Sequence, residues 1–310
     1  METSLSIKPV LRGYGMKILF IGVFDSANRS TNNAQLRGFL KEGCEVIGFN
    51  YRAKAAEIGS DNRDQMIIDV CRERQPDLVV FSKCAEVATR VFRECTAATT
   101  TCLWWMDPLS TLEQIPEMLL KANEVHLVCT GIKNTLEVFR KANPNIYHVL
   151  EGYDDMMHKP HDLQKDLEVT FIGSLHSERR RIMDAIEHPV AHLTNVYAYE
   201  HAKTVSRSKI NLNFSTAGGG SDRVYKVLGA GGFLLTSDWE GREELFESGK
   251  DLVVYKDVHD LNKKIAFYLE NEDKRNTIAM RGHQTVQGMT KNEWARKIIK
   301  IYEEKTKRSE

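Results

Sequence analysis

The stretch Gly218-Gly219-Gly220-Ser221-Asp222-Arg223 sets three glycines ahead of a helix start and a guanidinium inside its first turn. Glycine admits positive φ and close backbone approach to a ligand. Ser221 and Asp222 supply capping oxygens, and the unpaired N–H groups of a helix N-terminus favour an anion. Arg223 adds planar donors matched to a diphosphate. The competing reading is a plain loop-helix-strand unit whose glycines serve packing. A second group is Asp107, in Trp104-Trp105-Met106-Asp107-Pro108, where an apolar run stops at a proline. A carboxylate there orients or deprotonates a substrate hydroxyl, or else caps a helix beginning near Thr111. Trp104 and Trp105 offer a stacking face, with one of them expected in the core. Asp25, Asn28, Thr31, Asn32 and Asn33 form a polar loop after the first strand. It suits substrate contacts and, equally, capping of the next helix by Thr31 or Asn32.

Other polar residues carry weaker signals. His176 lies beside the Gly173-Ser174 turn, within reach of a phosphate or simply exposed. His158 and His161 are three apart in a polar stretch, no H-E-x-x-H occurs, and no metal site is expected. Arg179-Arg180-Arg181 reads as a helix face from which one arginine reaches a site. Lys263, Lys264, Arg296, Lys297 and Lys300 read as solvated helix surface. The six cysteines, Cys44, Cys71, Cys84, Cys95, Cys102 and Cys129, include no C-x-x-C pair. They read as buried thiols of a reducing compartment.

These groups need elements to hold them. The 310 residues suffice for two domains, and 42% hydrophobic with 28% charged residues is a globular balance. Residues 1–15 carry no pattern and read as a tail or an extra edge segment. From Met16 to Leu150 apolar runs alternate with helical periodicity. Strands are expected at Lys17–Val23, Glu45–Asn50, Asp77–Phe81, Thr100–Trp105, Glu124–Cys129 and Ile146–Leu150. Helices are expected between them, beginning near Ala34, Asn62, Ala85, Leu112 and Ile132. This is the signature of a parallel sheet covered on both faces. Residues 151–166, polar and with Pro160, read as a linker. A second alternating run follows over 167–290, and a last helix over 291–310. The fold class expected is therefore α/β, two Rossmann-like parallel-sheet domains facing a central cleft, where open parallel sheets take ligands.

The run Arg223–Leu261, RVYKVLGAGGFLLTSDWEGREELFESGKDLVVYKDVHDL, resembles the C-terminal domain of CgeB-type (spore-maturation) glycosyltransferases, which belong to the wider GT-B group. VTFIGS at 169–174 with the arginines after it, SRSKINLNF at 206–214, the Trp104–Pro108 segment, and Glu151-Gly152-Tyr153-Asp154 with Pro160 are similar to the same family. The resemblance implies transfer of a sugar from a nucleoside diphosphate sugar, a co-substrate, with no tightly bound cofactor. Donor binding falls to the second domain and the acceptor to the first. On the matching positions Gly173, Ser174, Gly219, Gly220 and Ser221 approach the donor phosphates, and Arg223 pairs with the diphosphate. Arg179 and Lys209 assist, and Glu243 or Glu244 sits near the donor. Asp107 serves the acceptor, with Asp25, Asn28, Asn32 and Trp105 lining its side. One departure stands out. Many retaining GT-B enzymes carry two glutamates eight apart here, and the matching positions are Gly218 and Lys226. Lys226 cannot accept hydrogen bonds from ribose hydroxyls, so the ribose contact must differ.

Three other functions fit the same fold. They are a nucleotide-sugar epimerase or hydrolase, a non-catalytic descendant that binds nucleotide sugars, and a transferase acting on modified DNA bases. The 43 basic residues balance 43 acidic ones, which argues against non-specific polyanion binding and leaves only a local basic groove for nucleic acid. No apolar run approaches the roughly eighteen residues of a membrane span, and the N-terminus lacks a signal-peptide core. A cytoplasmic protein is expected.

Overall fold

A computed structural model describes residues 6–7, 15–215 and 218–307. The chain divides into two compact units, residues 1–150 with 291–310, and residues 151–290.

The first unit runs β1 (Ser6–Ile7), β2 (Lys17–Gly22), α1 (Thr31–Lys41), β3 (Glu45–Asn50), α2 (Tyr51–Ile58), α3 (Ser60–Arg74) and β4 (Leu78–Ser82). It continues with α4 (Thr89–Ala98), β5 (Thr100–Trp105), α5 (Leu109–Gln114), α6 (Glu117–Glu124), β6 (Leu127–Thr130), α7 (Leu136–Arg140) and β7 (Ile146–His148). The sheet order is β1-β3-β2-β4-β5-β6-β7. Strands β2 to β7 are parallel, and β1 pairs antiparallel at the β3 edge. Strands such as LVVFS in β4 are buried along their whole length, as a sheet covered on both faces requires.

Local signals account for where the elements differ from expectation. A helix expected from about Asn62 is preceded by a second one, α2, whose cap Asn50 accepts from the Ala53 N–H. Gly59, at φ 83°, separates the two. The helix expected from Ala85 begins only at Thr89, because residues 83–88 form a tightly held loop. Glu124 closes α6, which delays the following strand to Leu127.

The second unit runs β8 (Leu167–Ile172), α8 (Ser177–Asp184), β9 (Ala191–Leu193), α9 (Ala198–Arg207), β10 (Ser208–Asn213), α10 (Asp222–Gly229) and β11 (Leu234–Ser237). Then come β12 (Val253–Tyr255), α11 (Val258–Glu270) and α12 (Glu272–Val286). Its five strands are parallel in the order β12-β11-β10-β8-β9. Residues 151–166 are packed into this unit. The Tyr153 N–H donates to Met289 O at 3.1 Å, and a Cβ on Gly229 would lie 2.5 Å from the Tyr153 ring.

The last helix, α13 (Lys291–Thr306), returns to the first unit. Trp294, Ala295, Ile298 and Ile299 are buried among Phe20, Phe39 and Trp104, and the Trp104 and Trp294 rings meet edge-on with centroids 5.3 Å apart. Gly38 of α1 makes this approach possible, since a Cβ there would lie 2.3 Å from Lys291 O. Gly38→Ala is expected to destabilise the first unit by about 1–3 kcal/mol through overpacking, read as a lower urea midpoint in near-ultraviolet circular dichroism.

Candidate functional site

The topological switch point of the second sheet lies between β8 and β10, because successive connections leave β8 in opposite directions. Arg223 bridges the carboxyl ends of these two strands. Its Nε donates to Ile172 O at 2.9 Å and its Nη1 to Asn213 Oδ1 at 2.7 Å, over the Phe171 ring at 5.1 Å. Ser221 caps α10 by accepting from the Arg223 N–H. Asn213 is buried and in turn donates to Thr236 Oγ1 at 2.9 Å, so three neighbouring strands fix the guanidinium.

Gly173 follows β8 at φ +148°, and a Cβ there would lie 2.5 Å from Arg223 Nη2. Arg179, on α8, donates to Phe214 O (3.2 Å) and Ser174 O (3.4 Å). Neither guanidinium is bonded to a carboxylate among the described residues. Burial, reinforced by Arg179, brings the Arg223 pKa down to about 10. Burial lowers Arg179 too, and burial with both arginines lowers His176. Asp222 and Glu178 offset these shifts only in part, and the cluster is electrostatically suited to an anion.

The glycine loop closes this site from the helix side. Gly218 has φ 65°, and its carbonyl accepts from Glu240 N at 3.1 Å. Gly219 is buried. Gly220 lies against Trp239, 3.3 Å from where a Cβ would stand. Glu243 and Glu244 are exposed in the 3₁₀ turn Arg242–Glu244, just beyond Trp239. Lys226 pairs with Asp222, one turn back on α10, at 2.5 Å. Behind this pair, His158 and His201 meet edge-on with ring centroids 5.4 Å apart.

Lys209 does not join the site. It lies at the amino end of β10, at the opposite edge of the sheet from Asn213, and binds Glu168 at 3.1 Å.

In the first unit the switch point falls between β2 and β4. Asn32 fills it. Its Oδ1 accepts from the Val23 N–H at 2.8 Å, and its Nδ2 donates to Ser82 Oγ and Gln35 Oε1, both at 2.7 Å. Asn32 is buried, so a ligand-contact role is replaced by a structural one. The cap of α1 is Ser30, not Thr31 or Asn32. Asp25 spends its carboxylate on the N–H groups of Ala27, Arg29 and Ser30. Burial opposes ionisation, but these bonds and the Arg29 guanidinium outweigh it and hold its pKa below the usual range. Asn28, at φ 54°, accepts from Arg37 Nη1 at 2.7 Å. The polar loop is thus largely satisfied by itself.

Trp105 is also corrected. It is 1% exposed, packs against Phe139, and donates Nε1 to Asp107 O at 2.7 Å. Trp104 is equally buried, so neither ring presents a stacking face. Asp107 remains accessible. It caps no helix, since α5 has Pro108 at its N-cap, and its Oδ2 binds Lys83 Nζ at 2.7 Å.

Asn213, Trp239 and Lys83 escaped sequence reasoning. A polar residue ending a buried strand (Asn213 after INL, Lys83 after VVFS) is the signal that points to the first and the last of these.

A glycosyl transferase-like family model matches residues 155–300. A search of curated proteins returns no match. Among solved structures, the chain is similar to Anabaena Alr3699/HepE in complex with UDP and glucose, at 13% identity and a TM-score of 0.69, covering 92% of this chain and 98% of that one. It is similar to the sucrose-phosphate synthase of Thermosynechococcus elongatus at 11% identity and a TM-score of 0.70, covering 93% and 98%. It is also similar to an α-glucosyltransferase in complex with UDP-glucose and DNA containing an abasic site, at 9% identity and a TM-score of 0.65, covering 93% and 99%. The fold shared with these structures is GT-B, two parallel-sheet α/β domains. No helix among the described residues is long and apolar enough to cross a membrane.

The histidines behind α10 make a pH prediction. Burial, then the Lys226 charge, depresses His158 from 6.5 to about 4. The folded form keeps it neutral while the unfolded chain protonates it, so its stabilisation is full above pH 6.5 and is lost as pH falls towards 4. The second unit is expected to lose about 3 kcal/mol across that window. Urea unfolding at pH 7 and pH 4.5 should show this loss, reduced in His158→Gln.

Proposed function

We propose that the chain, a glycosyltransferase with a glycosyl transferase-like domain on a GT-B fold, is of the CgeB type and moves a sugar from a uridine diphosphate sugar to an acceptor hydroxyl. The observation that carries this reading is the pair Arg223 and Arg179, held at the switch point by neutral acceptors alone. A diphosphate is the dianion that such a pair fits. Uridine is the nucleotide favoured because structural neighbours hold UDP or UDP-glucose.

In this reading the diphosphate lies against Gly173, Ser174 and the Gly219-Gly220-Ser221 turn, where a side chain at Gly173 would collide with Arg223. As the anomeric C–O bond breaks, its electron pair leaves with the diphosphate. Arg223 is already fixed by Ile172 and Asn213, so it stabilises that charge without reorganising. Lys226, about one turn further along α10 and paired with Asp222, faces the nucleoside end, and Glu243 or Glu244 the sugar. Asp107 takes the acceptor's proton. The nucleotide sugar is consumed as a co-substrate, and no tightly bound cofactor is required. Six free, buried cysteines suit a reducing cytoplasm.

The test is thermal denaturation with UDP, GDP and ADP and with their glucose conjugates. The uridine compounds are expected to raise the melting temperature. Arg223→Ala should weaken UDP binding about 10–100-fold, the worth of one or two charged hydrogen bonds. Asn213→Ala should weaken it less, because the guanidinium stays but is no longer fixed. Equal shifts in the wild type and Arg223→Ala would sink the reading.

A further inference from the structure

The loop after β4, residues 83–88, is held by an unusual set of bonds. Three buried charged side chains from two helices are spent on its backbone. Lys121 of α6 donates to Ala85 O. Arg63 of α3 donates to Glu86 O at 2.7 Å, and Asp64 beside it accepts from Ala88 N at 3.1 Å. Arg63 and Asp64 also pair with each other at 2.6 Å, with side chains only 1% and 4% exposed. Buried charges are costly, and removing either partner leaves the other stranded. Ordinary loops are tied down with far less.

The loop is also strained. Lys83 and Cys84 take φ values of 61° and 56°, two consecutive non-glycine residues in the left-handed region. Such strain persists only where the surroundings over-determine it, and it clusters at functional sites. Its consequence here is directional. The Lys83 N–H is tied to Trp104 O on β5 at 2.9 Å, and its side chain reaches Asp107 just past the end of that strand. Both side chains keep access to solvent, at 37% and 27% exposure. Lys83 binds Oδ2, which leaves Oδ1 without a protein partner among the described residues.

We propose that Lys83 is a positioning residue for the acceptor-activating carboxylate. Its ammonium holds Asp107 by Oδ2, rotated so that Oδ1 meets the acceptor hydroxyl. This inference rests on the transferase reading above. The step balances as follows. The acceptor oxygen forms a bond to the donor's anomeric carbon, the anomeric bond to the diphosphate breaks with its electron pair, and the acceptor's proton passes to Asp107. The ion pair is neutral as a unit, so it suits an uncharged hydroxyl group, as of a sugar or of water. An acceptor group already carrying negative charge would compete with Asp107 for the ammonium.

Water is therefore the acceptor probe. UDP release is measured from UDP-glucose, UDP-galactose and UDP-N-acetylglucosamine for the wild type, Lys83→Gly, Lys83→Arg and Asp107→Asn. Glycine accepts the left-handed backbone without strain, so Lys83→Gly should melt no lower than the wild type. Its kcat is expected to fall about 10–100-fold, the cost of a misaimed catalytic group, while the KM for the donor stays within about twofold. Lys83→Arg should recover most of that loss. Adding Asp107→Asn to Lys83→Gly should cost little beyond Asp107→Asn alone, because the two act as a unit. Wild-type kcat in Lys83→Gly, or losses that multiply in the double variant, would overturn the inference. No UDP release by the wild type from any of the three sugars, with water alone or with glucose added as acceptor, would overturn the transferase reading, and the inference with it.

Discussion

The second unit depends on one interaction, the guanidinium of Arg223 set across two strand ends. Backbone carbonyls at the carboxyl edge of a parallel sheet need donors, and Arg223 satisfies Ile172 O there while Asn213 holds its other arm. Much of the local sequence follows from making room for it. Gly173 has no Cβ because the guanidinium occupies that space, and Phe171 lies beneath as an aromatic floor. Ser221 caps the helix so that its first turn delivers the arginine in one direction. Every acceptor in this interaction is uncharged.

The two units answer the same topological problem with opposite chemistry. Each sheet has a switch point where helices diverge and a crevice opens. In the first unit Asn32 plugs it, making three neutral hydrogen bonds in a buried position. In the second unit a cation stands there instead. An accessible ion pair of the first unit lies one strand over, at the ends of β4 and β5, where Lys83 and Asp107 meet.

How much of this the sequence disclosed depends on the range of the interaction. The glycine loop, its serine cap and Arg223 are neighbours in the chain, so their spacing alone places the cap and the guanidinium in the first turn. The alternation of strands and helices likewise exposes both sheets. Asn32 and Trp105 were misjudged because their partners are distant. Asn32 looks like a free loop amide until Ser82 is brought beside it, and Trp105 looks like a platform until Phe139 covers it. Lys209 sits in the right strand at the wrong end, four residues from Asn213, a distinction that only strand direction and register resolve. Lys83 is visible locally only as a polar residue after VVFS. Its conformation comes from backbone dihedrals and from buried charges on α3 and α6, which are distant in the chain.

The return of α13 to the first unit has a consequence for how the chain comes to be folded. The helix supplies Trp294 and Ile298 to the core that α1, through Phe39, builds against Phe20 and Trp104 of the first sheet. The second unit is thus an insertion in the first, bounded by residues 150 and 291. As the polypeptide leaves the ribosome, residues 151–290 are all present before the last helix of the first unit has been made. The unit begun second is the one able to finish first. The unit begun first must wait for its last helix before its core is complete.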